Sequence, residues 1–310
     1  MEDFSEIGAI WRGETRRALR SGRVLVLLIL FLLFVGLALT VVGFFNHQLN
    51  AKFDQQMAMA GADLSQAREQ LAAGKKQFLQ TFVTEDPAML DSLAAIPIVL
   101  LVVFKLTLRF LPLFIALMGF DQLAGEVGPK SVRYLVVRVK RSSIILGKLL
   151  SQVTLFAILM SICTVMMVMV AKVLNTEFAA ADVALWTGKL IISSMVLSLA
   201  YLSLTALFSA LVKQGGISLV LNVIALFVIW FVALIGEAVR FPGEVAAEGT
   251  LAMLKAESAF AYLRYASVWH FGDDLLHPHW GRFLTAALVH VGFGLAFLGL
   301  AQLALRRRDL

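Results

Sequence analysis

Apolar residues run in six long blocks along this 310-residue chain, separated by stretches where charge returns. The blocks lie near 24–45, 97–119, 144–171, 190–212, 217–236 and 284–305. Each reaches the ~20 residues that an α-helix needs to cross the hydrocarbon of a bilayer. A spanning segment must satisfy its own backbone hydrogen bonds, so blocks of this length read as helices. The expected fold is all-α: a polytopic membrane protein with six transmembrane helices, an N-terminal interfacial helix and a helical periplasmic insertion. The first block follows a basic flank, but it is too long for a signal peptide and lacks a small-residue cleavage site. It is expected to stay attached as an anchor.

The polar stretches carry patterns of their own. Over 1–23, Phe4, Ile7 and Trp11 recur at helical spacing with arginines on the other side. That predicts a helix lying in the headgroup layer, the alternative being a solvated tail. Over 46–96, Phe53, Met57, Ala60, Leu64, Ala67 and Leu71 follow spacings of 4, 3, 4, 3 and 4, and Gly74 and Phe78 continue the frame. A seam of about 26 residues makes a helix of ~39 Å at 1.5 Å per residue. Its Gln, Lys, Arg and Asp flanks place it in water, so a hairpin, a second copy or a periplasmic partner is expected to cover it. Pro87 closes this insertion and Pro97 opens the second block. The stretch 237–283 mixes Phe241-Pro242-Gly243 with Phe260, Tyr262 and Trp269, a composition suited to headgroup depth.

Charge sets an orientation. With 60% hydrophobic and 15% charged residues, the chain is no ordinary soluble domain. Arg12, Arg16, Arg17, Arg20 and Arg23, the cations of the break after the second block, Lys213 and Arg306 to Arg308 all fall on one side. Lys and Arg outnumber the acids there, and acids outnumber them on the other side. The positive-inside rule then puts both termini in the cytoplasm. The net charge of +6 reflects topology and anionic headgroups, not nucleic acid. The lone Cys163 sits within the third block, which excludes an internal disulfide.

Several chemistries are missing. No Asp or Glu falls inside the six blocks, so there is no intramembrane acid to bind a coupling ion, and no interrupted repeat halves are visible. Gly147-Lys148 and Gly188-Lys189 lack the rest of a phosphate-binding loop. Neither His-Glu-x-x-His nor Gly-x-Ser-x-Gly occurs. No catalytic residue and no metal site is assigned, and the chain is expected not to be an enzyme.

Some polar groups do sit within the blocks. Lys105 and Arg109 share a helical face just before Pro112. Two unpaired cations would cost at least ~2.5 kcal/mol each on insertion scales. They read either as part of a translocation path for an anionic or amphiphilic molecule, or as a snorkelling lysine and an arginine bonded to another span. Ser194, Ser198, Tyr201, Thr205 and Ser209 form one polar stripe. It reads as close helix packing, or as a path lining where two copies meet; Asn222 is open in the same way. His270, Asp273, Asp274 and His277 share a face outside the blocks, with His279 beyond Pro278, and could ligate a metal, although spacing alone is weak support. Met166, Met167 and Met169 read as packing or lipid-facing residues.

The break after the second block is the most distinctive stretch. It carries Asp121, Glu126, Gly128-Pro129, Lys130, Arg133, Tyr134, then Arg138, Lys140 and Arg141, and Gly147-Lys148 at the start of the third block. An acid, a Gly-containing turn, a short basic helix, an Arg and a Gly-Lys in this order resemble the cytoplasmic coupling segment of bacterial type-2 ATP-binding-cassette (ABC) permeases. The Pro that the family often carries just before the Arg is absent, with Val139 or Lys140 in its place. The resemblance covers nearly the whole chain at low detail, from the Arg-rich start to the basic tail. Read without it, the stretch is a solvated, headgroup-binding loop.

The resemblance implies a single domain over 1–310 that acts as the membrane subunit of an ATP-driven exporter in a bacterial cytoplasmic membrane. It implies two ABC ATPase subunits holding ATP and Mg, with none in this chain, and a second permease, identical or related. Coupling would run through Asp121, Glu126, Gly128, Lys130, Arg133, Tyr134, Arg141 and Lys148, with Leu123, Val127, Val132 and Leu135 as apolar anchors. The path would use Lys105, Arg109, Ser194, Ser198, Tyr201 and Thr205. Other readings are a mechanotransmitting subunit acting on a periplasmic partner through 46–96, a membrane scaffold, and an ion-driven carrier.

Overall fold

In the computed structural model, the described residues are 2–60, 73, 76, 77, 80, 86, 89, 90, 93, 98–127, 139–174, 180–245 and 259–307. They are helical almost throughout. The elements are α1 (Glu2–Arg20), α2 (Gly22–Ala60), α3 (Ile98–Gly119), the short α4 (Ala124–Val127), α5 (Arg141–Leu174), α6 (Ala180–Leu211), α7 (Gly215–Val245) and α8 (Trp280–Arg306). Two 3₁₀ helices, η1 (Ala259–Ala266) and η2 (His270–Leu276), lie between α7 and α8. Six of these helices are long and apolar enough to cross a membrane.

Helix ends depart from the apolar blocks where polar residues have partners. α6 starts at Ala180 rather than at the expected 190. The intervening Lys189 donates to the His277 carbonyl and lies over the Trp186 ring at 4.9 Å, so its charge does not end the helix. α7 continues past 236 to Val245, through Pro242. α2 runs unbroken for 39 residues, about 58 Å at 1.5 Å per residue, well beyond the ~30 Å hydrocarbon core. Its outer part includes the backbone at Phe53, Met57 and Ala60; Leu64, Ala67, Leu71, Gly74 and Phe78 lie outside the described residues.

Lipid gives no hydrophobic drive between helices, so packing rests on shape and small residues. α8 packs along α6 most extensively. There a Cβ on Gly294 would stand 3.2 Å from the Leu199 carbonyl oxygen, so a side chain at this position would press the two helices apart. α2 meets α3 through an aromatic cluster. Phe31 and Phe114 stack edge to face at 4.7 Å, and Phe34 lies 5.1 Å from Phe110. α3, α5 and α6 form the interior, whereas α2, α7 and α8 leave most of their spanning surface uncovered.

α1 does more than lie on a surface. Trp11 donates its indole N–H to Thr154 Oγ1 at 2.9 Å, and Thr15 Oγ1 donates to Ser151 at 3.0 Å. A Cβ on Gly147 would come within 2.8 Å of Ile10, so α5 offers glycine where α1 crosses it. Phe4, expected on the same face as Trp11, is 82% exposed. At the end of the bundle that holds α1, Arg141 also donates to the Leu305 and Arg306 carbonyls, at 2.8 and 3.0 Å. This satisfies the otherwise unpaired carbonyls at the C-terminus of α8 with a cation. We call this end the near face, and the end carrying η2 the far face.

Candidate functional site

Chain that leaves α3 at the near face turns at once, through Phe120 to Leu123, into α4. Two backbone N–H groups of this turn, at Leu123 and Ala124, both donate to Ser209 Oγ of α6, each at 2.9 Å. They are the first orphan donors of α4, so Ser209 caps it from another helix. The capped turn delivers Glu126 to a buried position, 9% exposed. Its Oε1 accepts from Lys148 Nζ at 2.8 Å and from Arg17 at 3.3 Å. Lys148 also donates to Glu14 at 2.9 Å and is itself 4% exposed. The result is a charge clasp that joins α1, α4 and α5.

Some coupling candidates land in this clasp and others do not. Glu126 and Lys148 lie at its centre, and Asp121 stands beside it, half-buried. Glu126 and Lys148 therefore spend their charge inside the chain, not on a surface offered to another protein. Arg141 is part of the near face but serves α8 instead. Gly128, Lys130, Arg133 and Tyr134, with the anchors Val132 and Leu135, lie outside the described residues; so does the side chain of Val127. Leu123 is buried in a small apolar cluster with Ile144, Ile145 and Ala210, so it anchors the turn to its own bundle.

The sequence gives no sign of Glu14, Arg17 and Ser209 as partners in the clasp. Arg17 is one of four described arginines on α1, and nothing local distinguishes it. A sharper signal is present on α5: Lys148, Ser151 and Gln152 fall on one face at i, i+3 and i+4, all polar in an apolar helix. Gly147-Lys148 also gains a physical account, the glycine admitting α1 and the lysine binding it.

At the far face the segment between α7 and α8 folds back against the bundle. Ser267 donates to the Ile229 carbonyl within α7. A Cβ on Gly236 would come within 2.6 Å of the Arg264 backbone, so η1 lies directly on α7. η2 then brings Asp273 to Lys105 at 3.7 Å and to Arg109 at 4.0 Å, midway along α3. Arg109 also lies over the Trp269 ring at 4.8 Å. Although none of the blocks contains an acid, the segment outside them sets one beside the middle of α3. The two cations thus have an anionic partner, loosely held.

Tyr201 faces this group and lines a small cavity with Arg109, Trp269 and Asp273. The rest of the α6 stripe packs inside the chain: Ser194, Ser198 and Thr205 are almost fully buried. Ser198 and Thr205 donate to the carbonyls of Met195 and Tyr201 in their own helix. Such burial suits close packing and does not offer these hydroxyls to a second copy. Asn222 likewise donates to Ser218 within α7.

The histidine and aspartate face does not converge. His277 Nε2 lies 3.1 Å from Asp86, which also accepts from Arg282 at 2.6 Å. His270 meets the rings of Tyr265 and Phe271 edge to face, and Asp273 points to α3. Among the described residues, no three His, Cys, Asp or Glu gather as metal ligands. Asp274 is half-buried, and loss of water pushes its carboxyl above the usual range, opposed by the charges of Arg282, His270 and His277.

The family model described as "ABC-2 family transporter protein" matches residues 9–310. The chain belongs to the ABC-2 transporter family. No curated protein matches it in sequence. As an ABC-2 permease it is a multi-pass membrane subunit of an ABC transporter. Such subunits generally do not themselves catalyse and work with ABC ATPases. For a permease of this family the near-face clasp is the natural candidate site, because it ties the turn after α3 to three other helices.

Proposed function

We propose that this permease is an exporter subunit in a bacterial cytoplasmic membrane, with the near face and both termini in the cytoplasm. Two permeases, identical or related, would act with two ATPases that hold ATP and Mg. The observation that carries this reading is the clasp. A push on the turn at 120–127 acts directly on α1 and α5 through Glu126, and on α6 through Ser209. Such rigid coupling passes a displacement on without loss in soft side chains. The segment between α4 and α5 carries Lys130, Arg133 and Tyr134 and is the part left to meet an ATPase. Lys105, Arg109 and Tyr201 are our candidates for the path.

The test is a mild-detergent pull-down of the tagged chain from its native membrane, with ATPase activity measured in the eluate. Recovery of a nucleotide-hydrolysing partner with the wild type, and its loss or uncoupling with Glu126→Arg, is the expected outcome. Recovery of this chain alone overturns the reading. Separately, Lys105→Ala with Arg109→Ala is expected to reduce export of an anionic substrate while the complex still assembles.

A second reading has one specific observation in its favour. α2 extends by roughly 25 Å or more beyond a bilayer core, as a single helix continuous with the first span. A rod of that kind could move a periplasmic partner with nothing crossing the membrane. Replacing Leu64 and Leu71 with Asp would then abolish cellular activity but spare ATPase recovery. Unchanged activity removes this second reading.

A further inference from the structure

The side of α1 that suits a membrane by composition is turned instead onto α5. Ile10 lies at Gly147, Thr15 bonds Ser151 and Trp11 bonds Thr154. Arg17 reaches into the clasp, to Glu126. The other described arginines of α1, Arg12, Arg16 and Arg20, are all exposed. Successive residues step ~100° around a helix, so these three lie within about 80° of one another, and Arg16 stands roughly 140° from Trp11. α1 thus turns a basic ridge away from the bundle. Neighbouring arginines sit ~6 Å apart along the axis, and like charges at i, i+4 repel. An anion between each pair relieves that repulsion and accepts hydrogen bonds from two guanidinium groups.

The described acids of α1 are directed elsewhere. Glu14 accepts from Lys148, and Glu6 accepts from the Lys140 backbone N–H at 3.4 Å. Glu2 and Asp3 precede Arg12 by nine residues or more, at least ~13 Å along the axis. The chain at 128–138 carries Lys130, Arg133 and Arg138 and no Asp or Glu, so it can only add to the positive charge of this face.

Two neighbours set the level of the ridge. Val24 opens the apolar window of α2 and lines one cavity with Leu155 of α5, so the hydrocarbon begins on α5 near Leu155. Gly147, Ser151 and Thr154, which α1 meets, all come before it. Arg20 is itself four residues before Val24. The ridge therefore lies in the headgroup layer, where basic residues draw anionic lipid. Leu19, three residues from Arg16 and 53% exposed, adds an apolar contact that suits a lipid better than an acidic soluble protein.

We propose that this ridge binds anionic phospholipid, with one phosphate between Arg12 and Arg16 and a second between Arg16 and Arg20. α1 is then held from two sides, by the clasp on the bundle side and by lipid on the other. That these lipids belong to the inner leaflet rests on the function proposed above, but the binding itself needs no ATPase.

The experiment uses the full chain, purified and delipidated in neutral detergent. It is incubated with phosphatidylglycerol, phosphatidylethanolamine or phosphatidylcholine of matched acyl length and examined by native mass spectrometry. We expect two phosphatidylglycerols per chain, preferred roughly twentyfold over the other two, about fivefold for each arginine a lipid meets. Replacing Arg12, Arg16 and Arg20 together with Gln should abolish the preference, whereas replacing all three with Lys should keep most of it. Equal retention of the three lipids by the wild type makes them annular lipid and overturns the proposal. So does an undiminished preference in the Gln variant; if that variant also loses a co-purifying ATPase, the ridge is a protein dock instead. The headgroup comparison needs only the wild type, so a misfolded variant does not shield the idea. Selective phosphatidylglycerol binding by a chain that recovers no ATPase would sink the exporter reading and leave this site standing.

Discussion

Lys148→Met is the most exacting perturbation of the clasp. Methionine keeps most of the stem and its packing but removes the one cation that both carboxylates share. Glu14 and Glu126 each reach Nζ within 2.9 Å, so they lie no more than about 6 Å apart, and in the variant they repel. At an effective dielectric near 20, two unit charges about 6 Å apart repel by ~3 kcal/mol. Loss of one partner from a buried pair costs a comparable ~3–5 kcal/mol. Arg17 offsets little of this, because its side chain is 73% exposed and a screened pair contributes ~0–1 kcal/mol. Glu14 can relieve part of the strain by turning outward, as its side chain is already 27% exposed. The net expectation is about 3 kcal/mol, or roughly a hundredfold in the opening equilibrium of α1. Hydrogen exchange read by mass spectrometry in detergent measures this opening directly. Amides of α1 between Ile7 and Ala18 should exchange about a hundredfold faster, while those of α8 stay unchanged. Adding Glu126→Gln removes one stranded carboxylate and should restore at least half of the lost protection. Unaltered α1 exchange in Lys148→Met, or a double variant no better than the single, would refute the clasp as the fastening of α1.

Three further outcomes are expected. Ser209→Ala removes the acceptor for Leu123 and Ala124, a capping loss of about 1 kcal/mol, and should raise exchange at those two amides about fivefold. Gly147→Ala puts a methyl 2.8 Å from Ile10 and should loosen α1 as Lys148→Met does; Trp11 fluorescence, checked against Trp11→Phe, reads the change. Asp274 has a raised pKa because burial disfavours its charged form, so folding is favoured by its protonation. Its contribution is full below the ordinary carboxylate range and is lost as pH rises through the raised value. Asp274→Asn should therefore raise thermal stability at pH 7 and lose that advantage near pH 4; the same increment at both values would count against a buried acid.

The six spans were legible because a bilayer leaves the backbone no option but internal hydrogen bonds. Apolar length alone then fixes helix number and approximate place. The site was legible only as a list of polar residues. Glu126 finds Arg17 across 109 positions and Lys148 across 22, and nothing in local spacing selects Arg17 from Arg12, Arg16 and Arg20. Asp273 was visible as an acid, but its depth was not. That depth follows from Gly236, which admits the Arg264 backbone, and from Ser267, bonded to a carbonyl inside α7. The hydroxyl stripe on α6 was visible as a stripe, but its members have separate duties. Ser198 and Thr205 turn back on their own helix and Ser209 reaches the turn after α3, while Ser193, beside the stripe and not part of it, reaches η2.

Those two outer serines define what α6 can transmit. Ser209 binds the turn at the near face, and Ser193 donates to the Leu275 carbonyl of the far-face η2 at 2.6 Å. Lys189, one turn further out, holds the His277 carbonyl. The two serines are separated by 16 residues, about 24 Å along a helix, with no Gly or Pro between them, so the causes of a sharp kink are missing. A displacement of the near-face turn must therefore move α6 as a body or break two hydrogen bonds to Ser209. If α6 moves, η2 follows at the other end, and with it Asp273. The contacts of Asp273 to Lys105 and Arg109, at 3.7 and 4.0 Å, are the loosest links in this chain of contacts. They would give way first, parting Asp273 from the two cations of α3 while the buried clasp stays closed. On this logic, a cross-link between positions 193 and 275 only reinforces the joint by which η2 follows α6, and should leave both ATPase recovery and the exchange of η2 amides unchanged. A cross-link between positions 105 and 273 should instead hold η2 to α3 and slow exchange of the η2 amides; equal exchange with and without it would refute this order of release.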